Sequence, residues 1–242
     1  MKLEFLQLKV GKISILGISA LTTALFLLNG CTKEDLRLNP GQISTKSVDK
    51  TGDDDPQTPP ADTLPCGGFR TQTQGGWGAP AHGNNPGKYV QNNFAAAFPN
   101  GLTVGCTYKI TLTNAQAVTD YLPGGGTPAV LTTDYTNPVN LKNNLASQLV
   151  TLTLSVQFDL YDSNFSSSSV ALRDLVIASG PFKGKTIGAL LVEANNLLGG
   201  CPSAYTATQI SDALTSINEN FDDGTKNGGF VVCPDKIITG EN

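Results

Sequence analysis

Apolar and polar positions divide the chain into stretches of different texture. Residues 13–28 (ISILGISALTTALFLL) are almost wholly apolar, whereas residues 32–64 hold almost no large apolar side chain. Regular patterning starts further on. Tyr108-Lys109-Ile110-Thr111-Leu112-Thr113 alternates as a short strand does. Asn114 then offers an N-cap to AQAVTDYL, where Ala117, Val118, Tyr121 and Leu122 share a face, and Pro123 with the glycines after it ends the helix. In residues 140–158, Leu141, Leu145, Leu149, Leu152 and Val156 recur at intervals of three and four. Val150, Leu154 and Phe158 add a second apolar stripe, which predicts a helix at the buried centre of the domain. LVTLTLSVQF also alternates like a strand, but the residues leading into it keep helical spacing and favour the helix.

Two more helices follow. Thr186 caps one that carries Ile187, Leu190, Leu191, Ala194, Leu197 and Leu198 on one side and stops at Gly199-Gly200. Thr206 and Gln209 have capping-box spacing for the last, whose inward stripe is Ile210, Leu214, Ile217 and Phe221. Asp223-Gly224 predicts a turn and Phe230-Val231-Val232 a short closing strand. Residues 66–105 differ: they are rich in Gly, Asn, Gln and Pro, with Trp77, Tyr89, Phe94 and Phe98 interspersed. They read as irregular loop held by aromatics and a disulfide. The expected fold class is mainly α with a few short strands (α+β). It has a small helical core and a loop-rich, disulfide-stapled N-terminal part.

The N-terminal apolar run changes its meaning with its neighbours. Lys2, Lys9 and Lys12 precede it against one acid, Glu4, the order of a secretory signal. At about sixteen residues the run falls short of the ~20 that span a bilayer. Leu28-Asn29-Gly30-Cys31 follows and resembles a bacterial lipobox, which implies a lipidated Cys31. Two or more acyl chains make a stable anchor where one is marginal. The membrane is then a partner through that lipid. Residues 1–30 are thus expected to be a lipoprotein signal, 31–64 an anchor and spacer, 65–236 one globular domain and 237–242 a tail. The spacer, with Thr51-Gly52-Asp53-Asp54-Asp55-Pro56 and Thr58-Pro59-Pro60, has too little apolar surface to offset its ordering entropy. Thr32-Lys33-Glu34-Asp35, just past the cysteine, resembles a surface-export signal of Gram-negative lipoproteins and implies the outer face of the outer membrane. A solvated tether on the periplasmic face is the plainer alternative.

Of 16 basic and 20 acidic residues, three lysines and one glutamate fall in the signal; the remaining 13 and 19 leave the mature chain acidic by six charges. Without a basic cluster it is not expected to bind nucleic acid, which requires neutralised phosphates. Cys66, Cys106, Cys201 and Cys233 remain beside Cys31, an even number for an oxidising compartment. Zinc would want closely spaced ligands, and no two of these cysteines are nearer than about thirty residues. Three disulfide pairings are open. Cys66–Cys106 with Cys201–Cys233 is the favoured one, since each bridge would tie off one end of the domain.

Catalytic templates find little support. A Ser-His or Cys-His arrangement needs His82, the only histidine, which lies in a glycine-rich loop without a nearby acid. No spacing singles out a carboxylate pair from Asp159, Asp162, Asp174, Glu193, Glu219, Asp222 and Asp223. Asp222-Asp223-Gly224 lacks the alternating carboxylates of a calcium loop. Gly184-Lys185-Thr186 sits one residue too close to Gly180 for a phosphate-binding loop. No cofactor is expected.

Arg70-Thr71-Gln72-Thr73-Gln74-Gly75-Gly76-Trp77-Gly78 is the most unusual local run. With KNNLASQLVTLTLSVQFD, IASGPFKGKTIGALLVEANNLLGG and INENFDDG in that order, it resembles an uncharacterised family of secreted bacterial modules with a T-Q-G-x-W signature. The resemblance covers residues 66–233 and implies a fold and a location, not a reaction. Many members continue after the Trp with Lys-Asn-His-Pro, where this chain has Gly78-Ala79-Pro80-Ala81-His82-Gly83. Trp77, Tyr89 and Tyr205 among many Asn, Gln and Thr side chains would suit a surface that stacks on sugars and hydrogen-bonds hydroxyls. The competing reading is that Trp77 plugs the core. Gln72, Gln74 and Trp77 are the expected binding residues. The expected function is a non-catalytic surface module for adhesion or recognition of an extracellular glycan or protein. The alternative is a carboxylate-based glycan hydrolase.

Overall fold

Helix formation begins with the side chains that satisfy the first free backbone N–H groups. In the computed structural model, which describes residues 66–234, Asn85, Asn114, Asn143, Thr186 and Thr206 each accept a hydrogen bond from the N–H three residues on. The elements run α1 (Gln74–Trp77), α2 (Pro86–Ala97), β1 (Leu102–Gly105), β2 (Lys109–Leu112), α3 (Ala115–Tyr121), β3 (Tyr135–Thr136), α4 (Asn144–Tyr161), β4 (Val176–Ile177), α5 (Ile187–Leu198), α6 (Ala207–Asn220) and β5 (Val231–Val232). The expected signal, Cys31 with its spacer, and the tail lie outside the described residues.

The fold is mainly helical with a few short strands, as the patterning predicts. The helix foreseen over 140–158 is α4, entered at Asn143 because that side chain caps it. Apolar residues on every side of α4 are buried, among them Leu145, Leu149, Val150, Leu152, Leu154 and Phe158, which marks a central helix rather than a surface one. Helices α6, α5, α1 and α2 and strand β1 pack around it. The inward stripe of α6 is Ile210, Leu214, Ile217 and Phe221, all buried, and Thr206 and Gln209 make both halves of the capping box. Among the described residues no helix is long and apolar enough to cross a membrane.

One line of α4 is polar although it is buried. Ser147, Thr151 and Ser155 lie four apart and turn their hydroxyls back to the carbonyls one turn earlier, at 3.2, 2.8 and 3.3 Å. Satisfied this way, they carry little desolvation cost. Being small, they let other segments come close. Gly124 lies so near that a Cβ there would meet Ser147 Cβ at 2.7 Å.

The segment read as irregular, residues 66–105, is partly regular. It holds α2, with Asn85 as cap, Pro86 at its first position and Val90, Phe94 and Ala97 facing inward. It also holds β1, which pairs antiparallel with β2 from Leu102↔Leu112 to Gly105↔Lys109. Strand β3 lies parallel to β2, and β4 pairs antiparallel with β5.

The disulfides are Cys66–Cys233 and Cys106–Cys201, not the favoured sequence pairing. The two ends of the described segment meet. Thr71 N–H donates to Phe221 O at 3.0 Å, and Asp223 N–H donates back to Thr71 O at 3.0 Å. Cys66 therefore finds Cys233 rather than its nearest cysteine. The β1–β2 turn docks on the end of α5, where Tyr108 N–H donates to Gly199 O at 3.0 Å, bringing Cys106 to Cys201.

Candidate functional site

The signature run acquires a mechanical meaning residue by residue. Thr71 bridges to the residue just past α6, its hydroxyl accepting from Phe221 N–H at 3.1 Å. Gln72 is 2% exposed and donates to Asp223 Oδ1 at 3.0 Å, beside the Arg70–Asp223 ion pair at 2.8 Å. Thr73 caps α1 by accepting from Gly76 N–H at 3.2 Å. Trp77 is fully buried; its indole Nε1 donates to Ser155 Oγ at 3.1 Å, and its ring lies among Phe158, Phe165 and Tyr89. Gly78 abuts the Leu122 carbonyl too closely for any side chain.

All three expected binding residues are therefore buried. Trp77 cannot stack on a ligand because its faces are covered by other rings, and the carboxamide of Gln72 is held by Asp223. Nor are Tyr89 and Tyr205 free shelves. Tyr89 packs edge-on against Phe158 at 5.1 Å, and Tyr205 lies against Phe182 at 4.3 Å.

Gln74, at the start of α1, is buried too, but it forms part of the wall of a polar pocket. The pocket encloses about 440 Å³ between α1, the Pro123-Gly124-Gly125 turn, Lys142, α4 and α6. That volume lies within the usual range for small-ligand sites. Gln74 joins its walls: Nε2 donates to Asn144 Oδ1 at 3.0 Å, and Oε1 accepts from Gly124 N–H at 3.1 Å. Asn144 passes the connection on to Ser211 Oγ at 2.9 Å. On the far wall Asn218, 1% exposed, donates through Nδ2 to the carbonyl and to Oε1 of Gln148, at 3.0 and 2.8 Å. Its Oδ1 has no hydrogen-bond partner among the described residues. A buried acceptor without a donor costs roughly 1–3 kcal/mol, and this one lies beneath the pocket wall rather than open to it. Lys142 and Glu219, both exposed, complete the lining with opposite charges.

Elsewhere the titratable groups are engaged within the fold. Tyr89 Oη donates to Asp162 Oδ2 at 2.7 Å. That bond, with help from Asn164 N–H, holds the Asp162 carboxyl below the usual carboxylate range. Burial first, and Asp162 second, push the Tyr89 hydroxyl up. Asp159 edges a serine-lined hollow, where its oxygens accept from Ser166 Oγ and, at 2.7 Å, from Leu172 N–H. Glu193 accepts from Ser203 Oγ at 3.3 Å. His82 is an exposed loop residue whose N–H and carbonyl both bond to Asn85. Among the described residues no group of three or more His, Cys, Asp or Glu is placed to hold a metal ion.

No protein-family model, curated protein or solved structure matches this chain. Of the pocket residues, Gln74 is among the expected binding residues and Glu219 among the candidate carboxylates. Gln148 and Asn218 carried a signal that could have been used: each is a carboxamide set in an otherwise apolar helix stripe. A polar side chain at a core position must find a partner inside or face a ligand.

Proposed function

We propose that this chain is a lipid-anchored surface protein whose domain recognises an extracellular polymer or another surface protein and performs no chemistry of its own. The lipid on Cys31, the outer face of the outer membrane and kinship with the secreted T-Q-G-x-W modules belong to the same proposal. The observation that carries it is the pocket walled by Gln74, Gln148 and Asn218. Carboxamides bind by hydrogen bonding and do not supply a nucleophile or a strong acid. The lining holds one carboxylate, Glu219, whereas glycoside hydrolysis of the usual kind needs two across the scissile bond. This favours binding over the hydrolase. The disulfides and the capped helices give the pocket rigid walls, which suits recognition with little ordering cost.

The test is retention of the purified full chain on a panel of polysaccharides and matrix proteins, run beside chromogenic glycoside, ester and peptide substrates. Retention on one member, weakened by Lys142→Ala and Glu219→Ala with circular dichroism unchanged, is the expected result. Turnover of a substrate abolished by Glu219→Gln would overturn the reading in favour of the hydrolase.

A further inference from the structure

We infer that the pocket's ligand is an uncharged, hydroxyl-bearing sugar unit of a neutral glycan; the inference rests on the recognition reading above and names its substrate class. Three features of the lining lead there. First, the charges cancel: Lys142 and Glu219 stand at the same opening, so an acidic sugar meets a carboxylate and a cationic one meets an ammonium. A group without net charge avoids both penalties and can still use both residues. A hydroxyl donates to Glu219 and accepts from Lys142, each a charge-assisted bond.

Second, the walls offer both donors and acceptors. Thr73, Lys142, Gln148 and Glu219 bring a hydroxyl, an ammonium, a carboxamide and a carboxylate to the lining. A ligand hydroxyl supplies a donor and, on the same oxygen, an acceptor for a neighbouring carboxamide N–H. Adjacent hydroxyls on a sugar ring repeat that dual capacity at short intervals, matching the polar side chains of Thr73, Lys142, Gln148 and Glu219 in the lining.

Third, the lining contains no aromatic ring and, apart from Pro123 and glycines, no apolar side chain. Peptide recognition ordinarily uses a sheet edge, an apolar groove or side-chain pockets. None of these lies in the walls, which come from helices and a turn. The same lining predicts weak, hydrogen-bond-driven binding of the sugar without ring stacking.

Titration calorimetry of the full chain tests this with neutral manno- and gluco-oligosaccharides, oligogalacturonates, chitosan oligomers and an uncharged Ser/Gln peptide. The expected result is binding of a neutral oligosaccharide with an affinity that hardly changes with salt. Lys142→Gln and Glu219→Gln should each weaken it about tenfold, by replacing a charge-assisted bond with a neutral one. Both residues are exposed, so neither variant threatens the fold. Glu219→Gln should also admit oligogalacturonate, and Lys142→Gln the chitosan oligomer, each with the salt dependence the neutral sugar lacks. Binding of only a charged oligomer or of the peptide by the unaltered chain overturns the neutral-sugar assignment and leaves the recognition reading standing. Silence toward all sugars and the peptide also overturns it, and the protein and polysaccharide panel then decides the recognition reading separately.

Discussion

Replacing Trp77 by alanine separates a structural role for the signature from a binding one. The side chain is fully buried, and truncating such a ring costs about 3–5 kcal/mol through lost transfer energy and the cavity left behind. Part of that is specific. The Nε1–Ser155 hydrogen bond of 3.1 Å contributes about 1 kcal/mol. Contacts with Phe158 at 5.3 Å and Phe165 at 5.9 Å each add roughly 0.5–1.5 kcal/mol beyond area burial. Ser155 keeps its bond to Thr151 O, so no orphan hydroxyl is added to the cost. For a domain of this size the loss corresponds to a fall in Tm of roughly 6–20 °C. Trp77→Phe, which retains a ring among the same neighbours, should cost well under the alanine value. Urea and thermal unfolding followed by circular dichroism measure both variants. In the parent chain, Trp77 is the sole tryptophan, so its emission should be blue-shifted and poorly quenched by acrylamide until the domain unfolds. A Trp77→Ala cost below about 1 kcal/mol, the scale of an ordinary surface change, together with ready quenching in the native state, would refute the burial argument.

Peptide mapping without reductant should find Cys66 joined to Cys233 and Cys106 to Cys201. Removing the second bridge with Cys106→Ser and Cys201→Ser should cost about 2–5 kcal/mol in urea unfolding; recovery of a Cys66–Cys106 peptide contradicts the fold. The Tyr89–Asp162 pair predicts pH dependence at both extremes. Because Asp162 is held below its unfolded value, its contribution is present above about pH 4 and is lost as the pH falls further. Tyr89 is raised, so its contribution is full below about pH 10 and is lost above it. Asp162→Asn should flatten the acid limb of stability against pH, and an unchanged slope in matched urea titrations would count against the assignment. Finally, Cys31→Ser should abolish incorporation of a clickable palmitate and release the protein from membranes. Protease treatment of intact cells then separates the outer surface from the periplasmic face, and an unlabelled mature parent protein would end the lipoprotein reading.

The sequence by itself determined what depends on near neighbours. Asn114, Thr186 and the Thr206/Gln209 box fix helix starts because a cap and its N–H are three residues apart. Apolar spacing marked the inward faces of α4, α5 and α6, since one helical turn repeats whatever the rest of the chain does. The same logic was available for α2, where Asn85, Pro86, Val90, Phe94 and Ala97 are in order, but the Gly/Asn/Pro-rich composition around it obscured the signal. Tertiary structure decided the rest. The cysteine partners follow from where the two ends of the described segment and the β1–β2 turn come to lie, at sequence separations of 167 and 95 residues, which spacing cannot encode. Trp77 could have been a surface shelf or a core plug; Ser155, seventy-eight residues away, decided for the core by offering a small side chain and an acceptor. The pocket likewise exists only where α1, α4, α6 and the Gly124 turn converge. Asn218 finds its hydrogen-bond partner in Gln148, seventy residues earlier, a pairing that local spacing cannot encode.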